Sequence, residues 1–219
     1  MFRSASFNSV AKEASAELKV KNSRFVGTVC PVWSEGDAAA FLARMRAKYA
    51  DASHNVFAYR VSAGGASSGS LLERQSDDGE PSGTGGKPVL DVLAGMGLVN
   101  VCANVTRYFG GTLLGTGGLA RAYPSAARVA LAQAEISEYR RLLPMRLSLP
   151  YGVYDKFMHT AGLHTGSYVV RGADFGEDVA LEIVCAEDQA EMFRSLTASI
   201  ARGAHISQGE AYYGVLGRV

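Results

Sequence analysis

Arg107-Tyr108-Phe109-Gly110-Gly111-Thr112-Leu113-Leu114-Gly115-Thr116-Gly117-Gly118-Leu119-Ala120-Arg121-Ala122-Tyr123 carries the chain from an apolar run into a long helical face. Leu98 to Thr106, just upstream, has the make-up of a strand. Downstream, Leu119, Tyr123, Ala126, Ala127, Ala130, Leu131 and Ala134 recur at helical spacing. The glycines of this junction belong to a wider concentration, since fourteen of the 25 in the chain fall between Gly64 and Gly118. Glycine at that density marks backbone that must turn sharply or be approached closely. A strand, a glycine loop and a helix in succession, flanked by further short elements, predict an α+β fold.

Working outward, residues 16 to 32 predict two strands broken at Lys21-Asn22-Ser23. Ser34 stands three residues before Asp37, a capping-box start for a helix bearing Phe41, Leu42, Met45 and Tyr49. His54 to Ser62 alternates, with Val56 and Ala58 on one face and Phe57, Tyr59 and Val61 on the other; Leu71 to Gln75 is its expected hairpin partner. The Gly/Ser-rich stretch Ala63 to Ser70 between them is expected to be mobile. Pro88 opens a short helix ending near Gly95 or Gly97. Pro124, inside the last helical pattern of this half, removes one hydrogen bond and predicts a kink or a late start.

After residue 136 the rhythm changes. Arg140 to Leu149 predicts a strand, and Tyr154, Phe157, Met158 and Ala161 a helix. Ser167 to Arg171 with Val179 to Cys185 predicts a hairpin around Gly172-Ala173-Asp174-Phe175-Gly176. Ala190, Phe193, Leu196 and Ile200 predict a second helix, and His205 to Tyr213 a last strand. The order is βαββαβ, that of a ferredoxin-like unit. Two domains are expected, residues 1–136 and 137–219.

Composition narrows the classes. The 219 residues are 47% hydrophobic and 20% charged, which fits a globular chain and not a disordered one. Its 22 basic and 21 acidic groups exclude a globally basic nucleic-acid binder, although residues 1 to 135 hold 14 basic against 11 acidic. Sixteen of the basic residues are arginine, whose planar fork suits phosphate and carboxylate. The longest uncharged run in the middle, Val92 to Thr106, is broken by Gly95, Gly97 and two asparagines, so no membrane span is expected. No apolar stretch follows Met1 as in a secretory signal, so the cytoplasm is the expected compartment. Cys30, Cys102 and Cys185 are odd in number and far apart, which predicts reduced core thiols.

Three blocks carry the candidate chemistry: Ser76-Asp77-Asp78-Gly79-Glu80-Pro81-Ser82-Gly83-Thr84-Gly85-Gly86-Lys87-Pro88, then Arg107 to Gly111, then Leu114 to Tyr123. Each abuts a predicted helix start or strand end, where free amides and glycine make an anion site with phosphate as the obvious ligand. Asp77, Asp78 and Glu80 lie close enough to hold a hydrated metal or perform acid/base work, yet an Asp-Asp-Gly-Glu-Pro string is also what a tight turn uses. Lys87, Arg107 and Arg121 suit phosphate, and Tyr108 offers a ring to an unstacked base. The structural alternative has Tyr108 and Phe109 filling the core and the arginines pairing with Asp77 or Asp78. Tyr123 is expected in the core. The candidate binding set is Asp77, Asp78, Glu80, Thr84, Gly86, Lys87, Arg107, Tyr108, Gly110, Gly111, Gly115, Gly117, Gly118 and Arg121. No catalytic or metal-binding residue is assigned, and the sequence names no cofactor.

Other patterns fail on context. Gly115-Thr116-Gly117-Gly118-Leu119-Ala120 fits a dinucleotide fingerprint but lacks the tight strand–helix turn and the later acidic residue. Pro88 after Lys87 spoils a phosphate-binding P-loop. Gly65-Ala66-Ser67-Ser68-Gly69 fits a hydrolase elbow, yet Ser70-Leu71-Leu72 returns to a strand. His159 and His164 have no third ligand nearby, and His54 at a strand start is expected to be a hydrogen-bonded structural imidazole.

Together the three blocks resemble the YigZ/IMPACT family, which shares an SDDGEP-GT-x-G-KP block, an RYFGG block and an LG-x-GGL-x-RAY block at this spacing. The resemblance extends to Ser23-Arg24-Phe25 and to Asp51-Ala52-Ser53-His54-Asn55, covering most of residues 17 to 131. Val56 stands where the family often has cysteine, so no thiol chemistry carries over, and Pro124 interrupts a helix that usually lacks proline. The resemblance implies an amino-terminal sandwich of the kind found in a small-subunit ribosomal protein and elongation factor G. It also implies a carboxy-terminal unit similar to another elongation-factor domain. It further implies translation-linked binding rather than catalysis, and the glycine-rich basic face with Lys87, Arg107 and Arg121 makes RNA, the ribosome or another phosphate-rich ligand the expected partner. A protein-interaction regulator docking on a translation-control protein is the alternative from the same source. A metal-dependent enzyme using Asp77, Asp78 and Glu80 on a phosphorylated or nucleotide substrate is the alternative from the residues.

Overall fold

A computed structural model describes residues 6–63, 70–163 and 166–217. The Gly65-Ala66-Ser67-Ser68-Gly69 string, with the loop that holds it, and His164 lie outside the described residues. Two sheets and five α-helices are described, and the chain divides into two units, residues 1–137 and 138–219.

The first unit runs β1 (Ser6–Val10), β2 (Ala14–Val20), β3 (Ser23–Pro31), α1 (Glu35–Lys48), β4 (His54–Ala63), β5 (Ser70–Ser76), α2 (Gly86–Gly95), β6 (Val101–Tyr108) and α3 (Thr116–Gln133). Strands β2 to β6 form an antiparallel sheet in the order β2-β3-β6-β4-β5. Val56 and Ala58 of β4, with Val101, Ala103 and Val105 of β6, pack against α2 and α3. Tyr59, Val61 and Cys102 pack on the other face against Phe41, Leu42 and Met45 of α1. A strand covered on both faces needs no polar alternation, which is why β6 is a nearly continuous buried run.

Local chemistry sets the boundaries. Ser34 Oγ accepts the Asp37 N–H at 3.0 Å, and the Asp37 carboxylate reaches back to the Trp33 N–H at 2.9 Å. Helix α3 starts at Thr116 and runs through Pro124, so the late start expected from that proline is not found. The carbonyl four residues earlier, on Ala120, loses its donor, and Ala120 lines a groove open to solvent. Gly27 lets α3 rest on β3, because a Cβ there would lie 2.4 Å from the Ala126 carbonyl oxygen.

The second unit is built from β7 (Ile136–Leu149), α4 (Tyr151–Ala161), β8 (Tyr168–Phe175), β9 (Val179–Ala186), α5 (Ala190–Ile200), β10 (His205–Gln208) and β11 (Tyr212–Gly214). Its antiparallel order β10-β7-β9-β8 is the ferredoxin-like one, and Leu147, Leu149, Leu181, Phe157 and Phe193 fill the space between sheet and helices. Two boundaries differ from expectation. Strand β8 continues through Gly172 to Phe175, with a register shift between Val170 and Gly172, so the glycine marks a bulge and the turn comes later. The last strand divides because Gln208 pairs with Met145 and Tyr212 with Leu142, leaving three residues opposite two. Pro144 in that gap has no N–H to give, and its carbonyl takes the Gly209 N–H at 2.9 Å.

Candidate functional site

The acidic block serves the fold at two of its three carboxylates. Asp77 Oδ1 accepts the N–H groups of Gly85 and Gly86, and Oδ2 that of Gly83, each at 2.8 Å. Burial pushes this carboxyl up, but the amides of Gly83, Gly86 and Gly85 outweigh it and hold Asp77 below the usual range. The amino end of α2 therefore has its anion built in. Asp78, at φ 45°, accepts the Asn55 N–H at 2.6 Å and gives its own carbonyl to His54 Nδ1 at 2.8 Å. Thr84 closes the turn, its hydroxyl donating to the Pro81 carbonyl at 2.6 Å. Gly86 is buried against β5, where a Cβ would lie 2.8 Å from the backbone of Ser76.

Glu80 turns inward. Its Oε1 accepts Arg107 Nη1 at 2.6 Å and the Tyr123 hydroxyl at 2.6 Å. Arg107 is only 4% exposed, and Nη2 donates to Ser23 Oγ at 3.3 Å. Its charge is thus spent on Glu80, 27 positions away, and not on Asp77 or Asp78 as the structural alternative had it. The burial of Tyr123 and then its bond to Glu80 raise its phenol well above the ordinary tyrosine range, so it stays a donor. His54 Nε2 faces the same Glu80 oxygen from 3.8 Å.

Neither ring after Arg107 fills the core. Tyr108 donates to Asp51 at 2.9 Å and lies under the Arg24 guanidinium at 5.1 Å. Phe109 does not fill the core but is 48% exposed, with the Arg107 guanidinium 5.6 Å behind its ring. Gly110 packs so tightly on the β2–β3 turn that a Cβ would lie 1.9 Å from the Asn22 carbonyl oxygen, while Gly111 and Gly115 take φ of 77° and 72°. A Cβ on Gly118 would meet that of Leu114 at 3.0 Å. Gly117 lies in the first turn of α3, which has no side-chain cap.

These segments enclose a cleft of about 440 Å³ between the β6 end and the start of α3. His54, Glu80, Arg107 and Thr116 are its polar members, and Phe109, Leu114 and Leu119 are among its apolar ones. A second groove, about 430 Å³, runs between α2 and α3 and is lined by Asp91, Ala120, Arg121, Pro124 and Arg128. Lys87 pairs with Asp91 one turn along α2. Arg121 and Arg128 are exposed and form no ion pair among the described residues. Sequence reasoning passed over Arg128, whose signal was its place seven residues after Arg121, two turns along one helix face. It also passed over Phe109 as the exposed ring.

Among the described residues no three His, Cys, Asp or Glu side chains converge as a metal would require. The cysteines are free, and burial, with Glu13 beside it, raises the Cys30 thiol to about 11. No helix among the described residues is long and apolar enough to cross a membrane.

Residues 21–131 match the Impact N-terminal domain. Over 209 residues the chain is 30% identical to IMPACT family member YvyE of Bacillus subtilis (strain 168), covering 95% of this chain and 93% of that protein. It is 33% identical over 185 residues to IMPACT family member YigZ of Escherichia coli (strain K12), covering 84% and 88%. The crystal structure of a hypothetical protein, 30% identical, covers 94% of this chain and 98% of its own with a TM-score of 0.58. By its amino-terminal domain and by its near full-length relatives alike, the chain belongs to the IMPACT family.

Proposed function

We propose that the protein is a translation-linked regulator that binds RNA, free or within the ribosome, through the α2–α3 face of its amino-terminal unit. The observation that carries this reading is the pair Arg121 and Arg128, exposed on one face of α3 and without a carboxylate partner among the described residues. Arginine in that state offers a forked donor to phosphate, while the one acid of the groove, Asp91, is already matched by Lys87. The link to translation rests on family membership. With a net charge of only +1, such binding is local to this face and sensitive to salt.

Co-sedimentation with ribosomes and with free structured RNA, at low and moderate salt, tests the reading beside the Arg121→Ala, Arg128→Ala variant. Salt-sensitive pelleting that the variant loses is the expected result. Equal pelleting of both proteins, or of neither, would overturn it.

A further inference from the structure

We infer that the cleft at the amino end of α3 receives a single unpaired guanine base, from RNA or from a free guanine nucleotide. This deepens the RNA reading and rests on it. The Glu80 side chain is 4% exposed and both of its bonds end on Oε1, so Oε2 takes no donor among the described residues although Glu80 lines the cleft. A carboxylate oxygen left in this way is an acceptor waiting for a donor.

His54 supplies a second acceptor. Its Nδ1 lies 2.8 Å from the Asp78 carbonyl, which only accepts, so in the neutral ring that nitrogen carries the proton. Nε2 is then a lone pair, 3.8 Å from Glu80 Oε1 and too far from it for a hydrogen bond. Two neighbouring acceptors call for a ligand edge with two neighbouring donors. Guanine has one in its N1–H and 2-amino group, whereas adenine sets an acceptor beside its amino group.

The walls suit a planar base. Phe109, 48% exposed and lining the cleft, offers ring surface for stacking, and Leu114 and Leu119 close the apolar side. The cleft volume, about 440 Å³, falls in the ordinary range for small ligands. Beside it, Gly115 precedes α3 and supplies no side-chain cap, and the Thr116 and Gly117 amides bond no acceptor among the described residues. The 5′-phosphate of the same nucleotide belongs there. Cleft and groove then adjoin at Leu119 and Ala120, and from Thr116 to Arg128 the path is about 18 Å along the helix.

The test titrates the full chain with GMP, AMP and guanosine by calorimetry, and with single-stranded RNA oligonucleotides with and without guanine, using Phe109→Ala as the variant. GMP is expected to bind about tenfold more tightly than AMP, and more tightly than guanosine. Phe109→Ala should weaken GMP and the guanine oligonucleotide at least about fivefold, with the melting temperature and the salt slope of RNA binding unchanged. Equal affinity for GMP and AMP, or a silent Phe109→Ala, would overturn the inference. If RNA still binds through Arg121 and Arg128 in that case, only the guanine cleft falls. If GMP binds and no RNA does, the RNA reading falls and the free nucleotide is the source.

Discussion

Asp77 collects three glycine amides on two oxygens at the amino end of α2, and the energetic consequence depends on pH. Its folded-state value is lowered, so its stabilisation is fully present above the unfolded carboxylate value of about 4 and is lost as pH falls through the lowered value. Asp77→Asn should cost about 2 kcal/mol near pH 7, and the gap to the parent protein should close below pH about 4 in a series of thermal melts. A gap independent of pH would show that charge plays no part. Arg107→Ala is a more severe change, stranding the buried Glu80 at a cost of about 3–5 kcal/mol by urea denaturation. The Asp77 bonds were legible in the sequence because turn chemistry is local, here reaching glycine amides six to nine residues on, whereas those of Asp78 cross 23 and 24 positions to Asn55 and His54. The Glu80–Arg107–Tyr123 cluster was not, because it exists only once β6 and α3 have come together around a residue far from both in sequence.

Glycine in this unit acts mainly between elements. At Gly27, Gly85, Gly86 and Gly110 an added Cβ would come within 3.0 Å of another part of the chain, whether the Ala126 carbonyl, the Val56 side chain, Ser76 or Asn22. Gly27→Ala should therefore push α3 from β3 and cost about 2 kcal/mol, whereas Gly95→Ala, with open space around it and no positive φ, should cost nothing and stabilise by up to about 1 kcal/mol. Urea midpoints of the two variants check the contrast, and similar midpoints would contradict it. The glycine density told that something approaches the backbone here, and in most places that something is the chain itself. Periodicity alone carried the βαββαβ order and the hairpins of the first unit. It missed the Gly172 bulge and the divided last strand because a register shift leaves no periodic trace in either partner.

For the molecule as a whole, near-neutral charge means that any affinity for RNA must come from where its cations stand. Of the three expected phosphate contacts, Arg107 is neutralised inside and Lys87 on the surface, which leaves Arg121, joined by Arg128. Family membership was readable from three short blocks, but the sharing of charge among them required the fold. The most direct measurement is the salt dependence of single-stranded RNA affinity for the parent protein and the Arg121→Ala, Arg128→Ala variant. Two lost phosphate contacts predict a log–log slope shallower by roughly 1.4, together with weaker binding at low salt. Identical slopes and affinities would contradict the α2–α3 face as the place where RNA is held.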